Sequence, residues 1–295
     1  MIATVVVAFY RDDLLHRALE GILAQSHTSN WVIVVDNANL ESTREIASKF
    51  PCEYLIGGTS FGSAGGFALG MKHAISLGAS KIWLLDDDGI PTKDCLKTLL
   101  GASLKNKLEI ASPISIAMEN PSKTANNFFF GVRKIDSVNW IKKREIRLGK
   151  VQFYNGVLLD SSVVKSVGYP KLELFMRGDE LDYYYRCRKQ FRMALVTSAH
   201  YFHPSSESEY KVDRKRLFSV NYPLDYKKRY YQYRNRGYLI REHKLILEFF
   251  FDLVRYPITF IVYKKLNFEA LREWFQLWTM GLKKDLTAIK DTHTN

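Results

Sequence analysis

Cysteine is scarce in this chain and none of it is paired. Cys52, Cys95 and Cys187 stand far apart with no C-x-x-C spacing, which argues against a disulfide framework or a zinc site and fits a reducing cytoplasm. Two phosphate-binding signatures are also missing. No glycine-rich loop ends in Gly-Lys-Ser/Thr, and the place of a dinucleotide fingerprint, just after the first strand-like run, holds Tyr10-Arg11-Asp12-Asp13; an NAD-dependent oxidoreductase is therefore disfavoured. Met1 to Val7 enters a strand-like run with no basic leader region, so export is not expected. Leu245 to Tyr263 is long enough to suggest a membrane span, but Glu248, Asp252, Arg255 and Pro257 interrupt it, which predicts helices that pack and partly lie on a membrane. Acid is the minority charge. Against 43 Lys and Arg stand 31 Asp and Glu, a net charge of +12 that implies anionic partners.

The 295 residues, 46% of them apolar, are enough for one large α/β domain and a smaller appendage. Strand-like runs at Ala3 to Phe9, Trp31 to Val35, Cys52 to Ile56 and Lys81 to Leu85 alternate with helical spacing at Leu14 to Gln25, Ser42 to Phe50 and Ala64 to Leu77. That alternation predicts a mostly parallel sheet with helices on both faces. The boundary is expected near residue 210, followed by a basic, aromatic, helical region over 211–295.

Chemistry concentrates at Asp86-Asp87-Asp88-Gly89, where an apolar run ends in three consecutive carboxylates. Adjacent acids repel one another and are best tolerated beside a cation. At the carboxyl edge of a strand they are placed to hold Mg²⁺ or Mn²⁺ with phosphate oxygens, although an isolated triplet also reads as a solvated turn. The glycines from Gly57 to Gly70 admit two readings, close approach of backbone to a pyrophosphate or tight turns and helix packing. Asp179, Glu180 and Asp182 likewise read either as first-turn acids of a helix, with Asp182 and Arg186 spaced i, i+4, or as the source of a general base. His203, in Phe202-His203-Pro204 at a strand end, is a candidate metal ligand. Trp83, alternating on its strand, reads as core.

In order, V-V-V-A-F-Y-R, L-x-x-I-L-A-Q, V-V-D-N, G-x-A-G-G-F, W-L-L-D-D-D-G, N-G-V-L-L, G-D-E-L-D-Y-Y-Y-R, F-H-P and Y-Y-Q-Y-R-N-R, running from Ala3 to Gly237, resemble a family-2 inverting glycosyltransferase of GT-A fold. The G-G-F and D-D-D-G elements are most similar to bacterial galactofuranosyltransferases, with O-antigen rhamnosyltransferases next. Tyr10 departs from the small polar residue common in the family, and Gly178-Asp179-Glu180 from its Asp-Asp or Trp-Asp-Asp. The resemblance implies a nucleotide-sugar donor held by Ala8, Tyr10, Arg11, Asp36, Gly65, Gly66, Asp86 and Asp87, with Asp36 at the uracil or ribose and Arg11 with Gly65-Gly66 near the diphosphate. It further implies a Mn²⁺ or Mg²⁺ ion on Asp86, Asp88 and His203, Glu180 as the base that deprotonates the acceptor hydroxyl, and Asp179 as the residue that orients acceptor or base. The implied acceptor is a glycan, typically polyprenyl-diphosphate-linked.

The basic excess between Lys211 and Lys244 is interleaved with tyrosines. Together with Trp274 and Trp278 it is expected to face an anionic membrane, making the enzyme cytoplasmic and peripheral to the bacterial inner leaflet. The rival from another class is a non-enzymatic basic module that binds nucleic acid or membrane, a function that needs none of the ordered acids. Within the enzyme class the rival donor is dTDP-rhamnose. No nucleic-acid partner is expected.

Overall fold

The computed structural model describes residues 1–58, 61–130, 133–205, 220, 222–263 and 266–289. The chain forms two compact units, Met1–Leu172 with Tyr183–Ser206 and Glu173–Asp182 with Glu207–Asn295. The acidic segment Glu173–Asp182 thus belongs with the C-terminal part, although in sequence it lies well before residue 210. Lys211, Arg214, Lys215 and Arg216 of the basic stretch lie outside the described residues.

In the first unit the strands β1 (Ile2–Ala8), β2 (Trp31–Asp36), β3 (Glu53–Ile56) and β4 (Lys81–Asp86) alternate with the helices α1 (Asp12–Leu23), α2 (Glu41–Ser48) and α3 (Gly62–Ser76). They pair in parallel in the order β3-β2-β1-β4. β1 is buried along its whole length, as an apolar run covered on both faces should be. Val5, Ile33 and Leu84 pack towards Phe67 and Met71 of α3 on one face. Val6, Val34, Trp83 and Leu85 pack towards Leu15 and Leu19 of α1 on the other. The parallel arrangement stops beyond β4. There β10 (Asn155–Asp160) runs antiparallel to both β4 and β6 (Ile110–Ala117), and β11 (Met193–His203) is parallel to β6. β11 also takes two short antiparallel partners, β5 (Ile90–Pro91) and β9 (Ile146–Leu148). The hairpin β7 (Asn120–Phe130) and β8 (Arg133–Ser137) extends from β6, and α4 (Cys95–Asn106) covers one face through Leu96 and Leu99.

This order fixes where a ligand can enter. The chain leaves β1 for β2 and β3 on one side, then returns to β4 on the other, so the crevice beyond the carboxyl ends of β1 and β4 is a topological switch point. The register places Ala8 beside Asp36 and Val7 beside Asp86 at that edge.

After the short helices α5 (Val138–Ile141) and α6 (Ser161–Val167) comes α7 (Asp179–Arg188), whose first four residues group with the second unit. Among its described residues that unit also holds α8 (Tyr226–Glu242), α9 (Ile246–Pro257) running into a π-helical turn Ile258–Tyr263, and α10 (Phe268–Leu282). Gly237 and Gly281 let α8 and α10 meet backbone to backbone: a Cβ at either would lie 2.0 Å from Trp278 O or 1.8 Å from Arg234 O. Tyr233, Tyr256, Phe260, Trp274 and Trp278 fill the core around them. Trp274 and Trp278 are therefore core residues and not the interfacial anchors expected from the sequence. Among the described residues no helix is long and apolar enough to cross a membrane.

Candidate active site

At the switch point the three acids at the end of β4 take separate jobs. Asp87 turns back to the loop after β1, where one carboxylate oxygen accepts Phe9 N–H at 2.7 Å and the other accepts Arg11 Nη1 at 3.1 Å. Burial pushes its pKa up to about 6 despite Arg11. Asp88 pairs with His203 Nε2 at 3.0 Å and with Arg11 Nη1. Burial opposes its charge, but the hydrogen bond and charge of His203 and the charge of Arg11 together hold its pKa below the usual carboxylate range. Asp86 is driven the other way, well above that range, by burial and then by Asp88. A site that separates neighbouring acids in this manner is suited to a cation, which would remove the penalty on Asp86.

One oxygen each from Asp86 and Asp88 and a nitrogen of His203 lie within 4.8 Å of one another. His203 Nδ1 lies 2.7 Å from Pro204 O; with a proton kept on that nitrogen, a cation could take the place of the Nε2 proton that otherwise bonds Asp88. Two carboxylates and one imidazole fit Mn²⁺ or Mg²⁺, the imidazole being the softer contribution. The glycine that closes the acidic motif is required sterically, because a Cβ at Gly89 would sit 1.9 Å from Tyr201 Oη. That buried hydroxyl donates to Asp86 O at 3.2 Å. Tyr201 thus backs the cluster, and only its place in A-H-Y-F-H-P hinted at it.

Asp36 is placed at the same edge, but its carboxylate serves its own loop. One oxygen accepts Ala38 and Asn39 N–H at 2.8 and 2.9 Å, the other Leu40 N–H at 2.9 Å and Tyr54 Oη at 2.7 Å. With all four bonds supplied internally, Asp36 shapes the backbone that a base or ribose would meet. Tyr54 gave no signal in the sequence. Ala8 ends β1 and accepts Asn37 N–H at 3.0 Å. Tyr10 is exposed, stands edge-on to Phe9 and has a left-handed backbone, φ 55°, a conformation rarely retained by a bulky residue without cause. Gly65 and Gly66 lie one turn inside α3, where helical N–H groups are already bonded. They are explained by packing: a Cβ on Gly66 would lie 2.5 Å from Val7 Cγ1, and one on Gly65 2.2 Å from Phe61 Cβ. Trp83 is core, donating from Nε1 to Gly156 O at 2.9 Å.

The second acidic constellation belongs to the second unit. Asp179 is buried at the start of α7. Glu180 is half-buried and accepts Gly178 N–H at 3.0 Å, a cap-like contact that holds its carboxylate at the helix start. Asp182 pairs with His243 at 3.0 Å. Arg186 donates to Val167 O and Tyr169 O.

A parallel β/α half-sheet with an Asp–Asp–His group at its switch point defines a nucleotide-sugar type of site. The comparisons narrow the class: residues 4–159 match the family model described as glycosyl transferase family 2, and the chain belongs to that family. It is 33% identical over 96% of its length to galactofuranosyltransferase GlfT1 of Mycolicibacterium smegmatis, covering 97% of that protein. It is 32% identical over 95% of its length to GlfT1 of Mycobacterium tuberculosis strain H37Rv, covering 95% of that protein. Among solved structures, residues 1–349 of S. aureus TarS align over 97% of this chain and 88% of theirs with a TM-score of 0.59 and 14% identity, a likeness of fold. The chain is a nucleotide-sugar-dependent glycosyltransferase.

Proposed function

We propose that this enzyme transfers galactofuranose from UDP-galactofuranose, with inversion, to a lipid-linked glycan acceptor in bacterial cell-surface polysaccharide synthesis. The reading is carried by the switch-point cluster of Asp86, Asp88 and His203 in a chain similar over nearly its whole length to galactofuranosyltransferases. A bound Mn²⁺ or Mg²⁺ supplies Lewis-acid stabilisation of the leaving nucleoside diphosphate. Asp86, Asp88 and His203 would hold it. On this reading Arg11 would add donors to the diphosphate, the loop shaped by Asp36 would receive the nucleoside, and Tyr10 would flank the donor. Glu180 takes the acceptor hydroxyl's proton, with Asp179 orienting base or acceptor.

Purified enzyme should release UDP and extend a synthetic lipid-linked disaccharide when given UDP-galactofuranose, and EDTA should stop it. Transfer from dTDP-rhamnose but not UDP-galactofuranose would hand the assignment to the rival donor. A nucleic-acid module is disfavoured by the state of the basic helix: Arg234 is fully buried, Arg229 pairs with Glu273 and Arg236 with Asp252.

For the same reason the membrane face is better sought on α9 than on the basic helix. α9 is built inside out. Asp252 and Tyr256 point into the unit, whereas Leu247, Phe250, Phe251 and Val254, at helical i, i+3, i+4 and i+7 spacing, are exposed by 75, 60, 46 and 48%. Such a ridge is costly in water and favourable in a lipid interface. We assign it that role, with the enzyme peripheral to the membrane.

A further inference from the structure

The turn that carries Asp179 and Glu180 is held in a conformation it would not adopt unaided. Phe175, Arg177 and Gly178 have φ of 63°, 59° and 130°, so three residues in four occupy the left-handed half of backbone space, two of them without glycine's freedom. Such a segment persists only where its surroundings over-determine it, and the surroundings are one face of α8. Asn235, fully buried, donates from Nδ2 to Leu174 O and Met176 O at 2.8 Å and to Arg177 O at 3.3 Å. Its Oδ1 accepts from Arg234 Nε and Nη2 at 3.0 and 2.8 Å, which settles which end of the amide faces the turn. Arg234 donates on to Glu173 O at 2.6 Å. Just past the end of α8, His243 meets the Asp182 carboxylate at 3.0 Å, both side chains being almost wholly buried. At φ 130° Gly178 takes a conformation that strains any other residue, and a Cβ there would also make a tight 3.1 Å contact with Asn235 Cβ.

Arg234 and Asn235 therefore grip the segment just before the two acids, and His243 grips it just after them. Packing alone would not need this. An apolar side chain could fill the space of Arg234 without burying a guanidinium, whose pKa is lowered mainly by that burial. What the polar set adds is direction, since it fixes individual carbonyls and one carboxylate. We infer that Asn235 and His243 are positioning residues for the general base, acting through the Leu174–Gly178 backbone and through Asp182. The inference rests on the reading that the base is Glu180 or Asp179. Misplacement of a reacting group by about 1 Å costs on the order of a hundredfold in rate, so the grip would be read in kcat.

The experiment compares parent, His243→Phe, His243→Gln and Asn235→Ser, with Glu180→Gln and Asp179→Asn in the same assay. For each, kcat, the donor KM, the UDP dissociation constant and the thermal midpoint are measured. His243→Phe keeps the ring and loses the donor; His243→Gln restores an N–H near the position of Nε2. The expected result is a kcat lowered roughly 10–100-fold in His243→Phe and Asn235→Ser, with donor KM and UDP affinity within about threefold of the parent, and recovery of most of kcat in His243→Gln. If Asn235→Ser does not fold, the two His243 variants decide alone. Folded His243→Phe with kcat within twofold of the parent overturns the proposal, as does an equal loss in His243→Gln. If Glu180→Gln and Asp179→Asn both stay active, the base reading fails and the inference with it. If either loses activity while His243→Phe does not, the positioning role alone is refuted.

Discussion

Replacing Arg11 by alanine should weaken the protein without cation and tighten its hold on cation. In the structure Arg11 Nη1 bonds Asp87 at 3.1 Å and also Asp88, and is the counter-charge to acids that are otherwise offset by His203. Hydrogen bonds to charged groups contribute roughly 1.5–3 kcal/mol each. The Arg11 side chain is 43% exposed, so solvent screening reduces the pair to about 2 kcal/mol in total. Without cation the variant should therefore melt roughly 4–8 °C lower than the parent. Mn²⁺ binding at Asp86, Asp88 and His203 no longer competes with the guanidinium for Asp88. The ion displaces only the Asp88 bond, roughly half of that energy, so it should bind the nucleotide-free variant about fivefold more tightly, since each 1.4 kcal/mol is a factor of ten, and saturating Mn²⁺ should restore the lost stability. UDP affinity should move the opposite way, because the diphosphate loses a donor. The assay is thermal unfolding followed by intrinsic fluorescence over a Mn²⁺ titration, with and without UDP. Equal Mn²⁺ affinity in parent and variant, or a variant that melts with the parent in EDTA, would refute the counter-charge argument.

Asp88→Ala and His203→Ala should each abolish both transfer and the Mn²⁺-dependent rise in melting temperature while keeping the fold; a full Mn²⁺ response in either removes that residue from the ligand set. Glu180→Gln should lower turnover by roughly two to four orders of magnitude with UDP binding retained, and a larger loss in Asp179→Asn would transfer the role of base to Asp179. Gly89→Ala must displace the buried Tyr201 ring and should cut Mn²⁺ affinity at least tenfold, which Tyr201→Phe, losing only the bond to Asp86 O, should not; Mn²⁺ titration separates them. Leu247, Phe250 and Val254 changed together to Ser should weaken binding to anionic liposomes by about 3 kcal/mol, roughly a hundredfold, as seen by co-sedimentation, and unchanged binding would leave α9 without a membrane role.

What could be read from the residues was local. Strand–helix alternation as far as β4, the acids at its end and the histidine closing β11 all follow from period and position, because a run of β-branched residues and the group that ends it are written in one stretch of chain. Asp36 and Tyr54 show where this stops. An aspartate after a buried strand looks the same whether it awaits a ribose or is consumed by three backbone amides and a tyrosine from the neighbouring strand, and only the β2–β3 register decides. The same holds for charge. Lysines and arginines counted along α8 suggested an exposed basic face, but Arg229 and Arg236 find Glu273 and Asp252, forty-four and sixteen residues further along the chain, and Arg234 disappears into the core. With those three cations spent, α9 still exposes an apolar side that net charge did not foretell. The segment Glu173–Asp182 is the sharpest instance. Its acids are legible as a motif, yet its conformation is dictated by Asn235 and His243 some sixty residues later, so the chemistry of the turn was visible in the sequence and the reason it holds its shape was not.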